Sequence, residues 1–419
     1  MRILWIVNLI PAGVAKNMGI PSGVLGGWVE SMANQLKAFE DIDLAIACKT
    51  DIDNKFCEDI DGIRYYSVSY NSSVRQEELE KRCCEIVEDF KPDIIQIEGT
   101  EFLHANAMLE VGNTKNITTI VSMQGILNGQ YNYQCGQLQV DDMMFSKSFK
   151  EITAAWIMHM RKTRWFRPRM KQEREIISKA KYVMGRTTWD RAHVYEINPH
   201  AKYYSCSRIL RPSFYNSHWD AEKIEKHSIY VGNGYFALKG VHFVIKALPQ
   251  LIREYPDVKL YIAGNKPYFE GDKRPFFKRG YGLYLEKLVK ELHVEEHVVF
   301  TGPLSEEQVA ERLTVVNAYV LCSAIENSPN TLGEAMLIGT PCVAAYVGGV
   351  PDMALDKEEA LFYRNDDPAL LAWSLKQIFD DEKLADKLSK QGHKRAAATH
   401  DEKDNARQLV NIYKDILDK

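Results

Sequence analysis

Residues 317–353 read NAYVLCSAIENSPNTLGEAMLIGTPCVAAYVGGVPDM. The runs NAYVLCS (317–323) and PCVAAY (341–346) are short and apolar, as strands covered on both faces of a parallel sheet must be. Between them, 330–338 has helical character, so the stretch reads as strand, helix, strand, a right-handed βαβ unit. Glu326 falls in the loop beyond the first strand, with Ser328 as the expected cap and Pro329 at the first helical position, where a missing N–H is harmless. In an open parallel sheet, ligands sit beyond the carboxyl ends of strands, where a helix N-terminus offers N–H groups and the positive end of its dipole. Glu334 comes about 9 Å further along, at roughly 1.5 Å per residue. Two carboxylates so placed could hold hydroxyls at two points of one elongated, polyhydroxylated ligand. Taken alone, Glu334 reads equally well as a first-turns acid that favours the dipole.

The same alternation extends in both directions. Strands are expected at 3–8, 42–48, 93–97, 118–123 and 182–185, and again at 228–232, 259–264 and 298–302. Helical spacing appears at 27–39, 78–90, 240–254, 281–292, 305–314, 368–380 and 383–398. Two such series imply an α/β chain of two Rossmann-like domains, in keeping with two or three domains for 419 residues. The boundary falls in CSRILRPSFYNSHWDAEKIEKH, which lacks a clean period. The expected division is 1–205, 206–398 and a C-terminal helix, 399–419, packing back on the N-terminal domain.

Composition narrows the function. The 53 basic and 57 acidic residues leave a net charge of −4, which disfavours nucleic acid as a partner held by a whole-protein field. The eight cysteines show no C-x-x-C or zinc spacing and read as free, mostly buried thiols of a cytoplasmic protein. MRILWIVN runs into Leu9, Ile10 and Pro11 without a cleavage site, and no apolar run approaches the ~18–20 residues of a membrane span. Residues 126–175 exceed a minimal βαβ repeat. Within 156–174, Trp156, Trp165 and Phe166 accompany seven basic residues and one acid, Glu173. Such a helix suits peripheral contact with the inner face of an anionic plasma membrane, or else a solvated face with aromatics packed inward, or phosphate binding to an acceptor.

Other stretches carry weaker signals. In IYVGNGYFALKG (229–240) a strand end meets a glycine-bearing turn and Lys239, placed just ahead of a helix to neutralise a departing diphosphate. The first strand leads into PAGVAKNMGIPSGVLGGW, whose glycines would let backbone approach a phosphate. D-x-D pairs at Asp41–Asp43, Asp51–Asp53 and Asp59–Asp61 flank one early strand and read as solvated loops.

Together these features resemble the retaining glycosyltransferases of family 4, glycosyl transferases group 1. The resemblance rests on Gly26-Gly27, on Lys239-Gly240, and on the E-x7-E from Glu326 to Glu334 followed by EAM…G.P.VA…GGVP. PDIIQIEGTEFLHA also resembles that family's acceptor-domain strand. It implies the GT-B architecture: two facing Rossmann-like domains with parallel sheets and a cleft between them. It further implies transfer of a hexosyl or N-acetylhexosaminyl group from a UDP-, GDP- or ADP-sugar, with retention. The acceptor would be a hydroxyl of a glycan or lipid-linked molecule, in surface polysaccharide biosynthesis, and no cofactor or obligatory metal is implied.

By resemblance, Glu334 binds ribose hydroxyls and Glu326 faces the donor sugar. Backbone amides at Asn330, Thr331 and Leu332 meet sugar and diphosphate. Lys239 stabilises the leaving group, with Gly26 and Gly27 approaching it. The base lies near Gly264 and Gly302 to Leu304. Asn233 stands where the family usually has Arg, so Arg208 or Arg211 is the candidate substitute cation. Gln124 stands where a His is usual and could still hydrogen-bond the donor. His104 could orient an acceptor, although a surface or helix-start histidine is the plainer reading. NLIPAGVAKNMG fails the G-x-G-x-x-G test for an NAD-dependent oxidoreductase. A sugar-nucleotide epimerase fits the GGVP series poorly, and a catalytically degenerate sugar-binding protein of the same fold is the alternative that Asn233 and Gln124 favour.

Overall fold

The computed structural model describes residues 1–17, 26–50, 56–69, 74–139, 141–143, 149–266 and 280–418. Contacts group them into two units. The first is Met1–Gly129 with Pro168–Arg211 and His400–Lys419, and the second is Gln130–Arg167 with Pro212–Thr399.

The first unit holds β1 (Arg2–Val7), β2 (Asp43–Thr50), β3 (Cys57–Ile60), β4 (Ile63–Ser69), β5 (Ile94–Glu98), β6 (Thr118–Ser122), β7 (Tyr182–Gly185) and β8 (Lys202–Ser205). Among the described residues the sheet order is β3-β4-β2-β1-β5-β6-β7-β8. Every pairing is parallel except β3 with β4. That hairpin turns at Asp61 and Gly62, both at positive φ, as a tight two-residue connection requires. Ile3, Leu4, Trp5, Ile6 and Val7 are wholly or almost wholly buried, because helices cover both faces of a central parallel strand. The C-terminal helix Glu402–Leu417 buries Leu409, Ile412, Tyr413 and Ile416 in this unit. Trp5 Nε1 donates to the Tyr413 hydroxyl at 2.9 Å, which donates to Gln96 Oε1 at 2.6 Å.

The second unit holds β9 (Glu225–Val231), β10 (Lys259–Ile262), β11 (Val298–Phe300), β12 (Val316–Leu321), β13 (Cys342–Ala345) and β14 (Leu361–Tyr363). These form a parallel sheet ordered β11-β10-β9-β12-β13-β14. Capping boxes at Thr187–Asp190 in the first unit and Ser305–Gln308 in the second set two helix starts.

The division differs from the sequence-based one at two places. The boundary expected at 205/206 falls at Arg211–Pro212, and 130–167, expected in the first domain, groups with the second unit. The physical reason is burial: Leu138 and Ala155 belong to the second unit's apolar core. Gln137 also accepts from Asn365 Nδ2 at 2.6 Å, and Glu151 pairs with Lys287. The helix Phe149–Lys179 is shared between the units at Pro168, which lies inside it.

Candidate active site

In the second sheet the chain runs outward from β9 through β10 to β11 and then returns to β12 on the other side of β9, so the β9–β12 boundary is a topological switch point. Two loops emerge there. One runs from Gly232 through the short turn Ala237–Lys239 to the helix Val241–Glu254; the other runs from Cys322 to the helix Asn330–Ile338. They are stitched together. Ala324 N–H donates to Leu238 O at 2.8 Å, and Cys322 Sγ to Lys239 O at 3.1 Å. Lys239 Nζ reaches Glu326 Oε1 at 2.6 Å, and Ser323 Oγ donates to the same oxygen at 2.7 Å.

Two glycines make that closeness possible. Gly240 has φ +70°, and a Cβ there would stand 1.8 Å from the Cys322 carbonyl oxygen. Gly348 has φ +51°, and its Cβ would stand 2.0 Å from the Glu326 carbonyl oxygen. The neighbouring Gly349 N–H donates to that oxygen at 3.1 Å. The glycines of the KG turn and of GGVP are therefore there for backbone packing around Lys239 and Glu326.

The Lys239–Glu326 pair is half-buried, with side-chain exposures of 32% and 13%. Beside it, the helix starts at Asn330 with Pro329 in extended conformation as its N-cap, without a side-chain cap. Ser328 does not cap, contrary to expectation, since Pro329 holds the N-cap position and Leu332 N–H donates to its carbonyl at 3.1 Å. The helix start still presents backbone N–H groups at Asn330 and Thr331. Leu332 is fully buried and its N–H is held by the Pro329 carbonyl, so, contrary to expectation, its amide is not offered to a ligand. Thr331 Oγ1 accepts from the Tyr319 hydroxyl at 2.9 Å, and Glu334 is buried one turn further on.

Asn233 is exposed, and its Oδ1 accepts from Tyr235 N–H at 2.9 Å. It shapes the turn and supplies no charge. Gly264 and Gly302 bridge β10 and β11, with Gly264 N–H donating to Gly302 O at 2.9 Å. Both have positive φ and open space where a Cβ would point, and Leu304 nearby in sequence is half-buried.

The remaining expected residues lie in the first unit. Gly26, at φ +104°, begins the helix Gly27–Leu36. The Leu9 side chain occupies the place of a Gly26 Cβ and Arg211 that of a Gly27 Cβ, at 2.5 and 2.8 Å. Arg208 is stacked over the Trp28 ring at 3.5 Å. Gln124 donates to Glu98. His104 is the second residue of the helix Leu103–Thr114 and is buried rather than on the surface, with Nε2 at 2.8 Å from Asn8 Oδ1. Burial pushes its pKa down to about 3, so it stays neutral. Burial pushes the neighbouring Glu101 up to about 7.

Three acids of the D-x-D pairs are ion-paired. Asp41 pairs with Lys414, Asp43 with Arg2 and Asp59 with Arg64, while Asp51–Asp53 lies outside the described residues. Among the described residues no three His, Cys, Asp or Glu side chains gather as a metal site needs. Cys48, Cys83, Cys135, Cys206, Cys322 and Cys342 are buried free thiols.

One brace escaped the sequence reading. His242 is fully buried in the helix that follows Lys239. A carbonyl can only accept, so Nε2–H donates to Gly136 O at 3.1 Å and Nδ1 accepts from the Tyr281 hydroxyl at 2.9 Å. Burial pushes the ring's pKa down to about 3. Gly136 has φ +61°, and its Cβ would lie 2.2 Å from the Ala237 carbonyl oxygen. The 130–139 segment thus rests against the turn that carries Lys239.

Residues 217–395 match the family model described as glycosyl transferases group 1. N-acetyl-alpha-D-glucosaminyl L-malate synthase of Bacillus anthracis is 28% identical over 193 residues, 46% of each chain. The chain thus spans less than half the length of the curated relatives it matches. Sucrose-phosphate synthase from Thermosynechococcus elongatus superposes with a TM-score of 0.73 at 17% identity, over 99% of both chains. Anabaena HepE in complex with UDP-glucose does so at 0.69 and 13%, over 99% of this chain and 100% of that one. Both likenesses establish the α/β, GT-B fold.

Proposed function

We propose, for a chain whose residues 217–395 match the family model of the glycosyl transferases group 1, that it moves a hexosyl or N-acetylhexosaminyl group from a nucleoside-diphosphate sugar to a hydroxyl of a glycan or lipid-linked acceptor, with retention and without a metal. The observation that carries this is the meeting of Lys239 and Glu326 beside a helix N-terminus at the switch point of a parallel sheet. A solved structure of this fold holds UDP-glucose, which supports a nucleotide sugar as donor.

In this reading the bond from the sugar's anomeric carbon to the diphosphate breaks, and the acceptor oxygen bonds to that carbon on the same face. The acceptor's proton passes to the departing diphosphate oxygen, so no enzymic nucleophile is needed. Lys239 and the N–H groups at Asn330 and Thr331 offset charge building on the diphosphate. Glu326 orients sugar hydroxyls, Glu334 holds the ribose, and the base lies by Gly264 and Gly302. In the first unit, Gln124, His104 and Arg211 serve sugar or acceptor. The product is a surface polysaccharide or glycolipid.

Membrane contact through 156–174 belongs to the same proposal. Trp156 and Trp165 are 60% and 41% exposed, and Arg164, Arg167 and Lys171 are exposed too. The one acid of the segment, Glu173, is buried and accepts from Thr100 Oγ1 at 3.0 Å and Leu127 N–H at 2.9 Å. It therefore adds no charge to the basic surface. No described helix is long and apolar enough to cross a membrane.

The test is release of nucleoside diphosphate from UDP-, GDP- and ADP-sugars, with EDTA present and with simple glycan or lipid-linked acceptors. One donor should be consumed. Consumption of none, with or without divalent metal, would overturn the reading.

A further inference from the structure

A cavity in the first unit opens at the carboxyl ends of β5, β6 and β7, where an α/β sheet receives its ligands. It has about 30 Å³ of room for the centres of water-sized groups, enough for one or two waters or the oxygens of a small head group. Apolar walls come from Trp5, Trp28 and other side chains, while Gln96, Glu98, Arg186 and Arg208 supply the polar ones.

The polar groups there are not all satisfied. Arg186 Nη2 donates to the carbonyls of Met123 and Gln124 at 3.2 and 3.1 Å. Arg208 lies over Trp28 with its Nη2 3.7 Å from Glu98 Oε2, beyond hydrogen-bond reach. That Nη2 is buried and has no hydrogen-bond partner. Glu98, the carboxylate between them, accepts from Gln96 Nε2 at 2.6 Å and from Gln124. Asp190 is committed to the N–H groups of Arg186 and Thr187 and to Tyr203, and His400, bonded to the Arg208 carbonyl, is kept neutral by burial. Arg208 and Arg186 thus have Glu98, already engaged, while the Glu101 carboxyl that also acts on Arg208 accepts from Asn8 Nδ2 at 2.9 Å and is pushed up to about 7 by burial. A buried guanidinium N–H without an acceptor calls for an oxygen from elsewhere, and the planar fork of arginine fits carboxylate and phosphate oxygens.

We propose that this cavity binds an oxyanion, a carboxylate or phosphate monoester carried by the acceptor, through Arg208 with Arg186 beside it. The assignment to the acceptor rests on the transferase reading above; the oxyanion chemistry does not. An acceptor bearing such a group would be held by its charge while its hydroxyl reacts, and a neutral analogue would bind weakly.

The test is calorimetric titration of the full chain with inorganic phosphate, L-malate, glucose 6-phosphate and glucose, with UDP, GDP and ADP titrated in parallel. Phosphate should bind the wild type and Lys239→Met alike. In Arg208→Gln it should weaken about tenfold or more, the loss of one charged hydrogen bond. Glu98→Gln, which removes the competing carboxylate, should tighten phosphate severalfold, a gain that misfolding cannot imitate. Glucose 6-phosphate binding more tightly than inorganic phosphate, with glucose silent, marks an acceptor-borne group. Inorganic phosphate binding as tightly as glucose 6-phosphate assigns the site to a free ion and overturns the acceptor assignment. Phosphate binding lost in Lys239→Met but kept in Arg208→Gln, or no response to any of the anions, overturns the site. Nucleoside diphosphate binding without anion binding sinks this inference alone; anion binding without binding of UDP, GDP or ADP sinks the transferase reading instead.

Discussion

Gly240→Ala tests how the two loops hold Lys239 against Glu326. The new methyl group would point at the Cys322 carbonyl oxygen from 1.8 Å, where real contacts are essentially never under 3.0 Å. Backbone must therefore give by about 1.2 Å, in a turn fixed by the bonds from Gly240 N–H to Ala237 O and from Ala324 N–H to Leu238 O. A left-handed φ costs alanine about 1–2 kcal/mol, and the clash brings the total to about 3–4 kcal/mol. Gly264→Ala is the control: φ +96° with nothing within 4 Å of the Cβ, so about 1–2 kcal/mol from φ alone. Melting points should fall by roughly 6–16 °C and 2–8 °C respectively. Because displacement near 1 Å can cost about a hundredfold in rate, donor turnover by Gly240→Ala should fall by about that factor at a temperature where it is folded. Equal melting points for the two variants, with full turnover by Gly240→Ala, would refute the reasoning.

Other expectations follow from single contacts. Glu326→Ala should lower turnover by about two orders of magnitude or more while circular dichroism is unchanged; wild-type turnover would remove it from the mechanism. His242 has its pKa lowered to about 3 in the fold against about 6.5 unfolded, so its stabilisation is complete above pH 6.5 and is lost as pH falls towards 3. Urea unfolding should show up to about 5 kcal/mol less acid dependence in His242→Gln, and identical pH profiles would contradict this. Arg164→Glu with Arg167→Glu should abolish sedimentation with vesicles rich in phosphatidylserine at low salt, where unchanged sedimentation argues against the membrane surface.

Strands such as β1 and β12 were legible because apolar runs bounded by polar turns have one use in an α/β chain. The β3–β4 hairpin was not read, although Asp61-Gly62 between IRYYSVS and CEDI is a turn signal. Asp59 was read there as part of a solvated pair instead. At the site, Lys239, Glu326 and Glu334 follow from motif order and spacing. The reason for Gly240 and Gly348 does not, since it lies in carbonyl oxygens that approach from other loops. His242 and Gly136 are 106 residues apart and were unreadable for the same reason. Segment 130–167 was misassigned because grouping by sequence order cannot show that Leu138 and Ala155 pack into the second unit's core. Arg208 was considered as a substitute cation for the diphosphate, whereas only the fold places it over Trp28 beside a buried carboxylate.

The central claim is that the β9–β12 switch point holds a nucleoside diphosphate through Lys239. Titrating UDP, GDP and ADP into the wild type and Lys239→Met, with EDTA present, measures it directly. The account predicts one diphosphate bound by the wild type and bound about tenfold or more weakly by the variant. Binding of equal strength in both proteins, or of none of the three in the wild type, would contradict it.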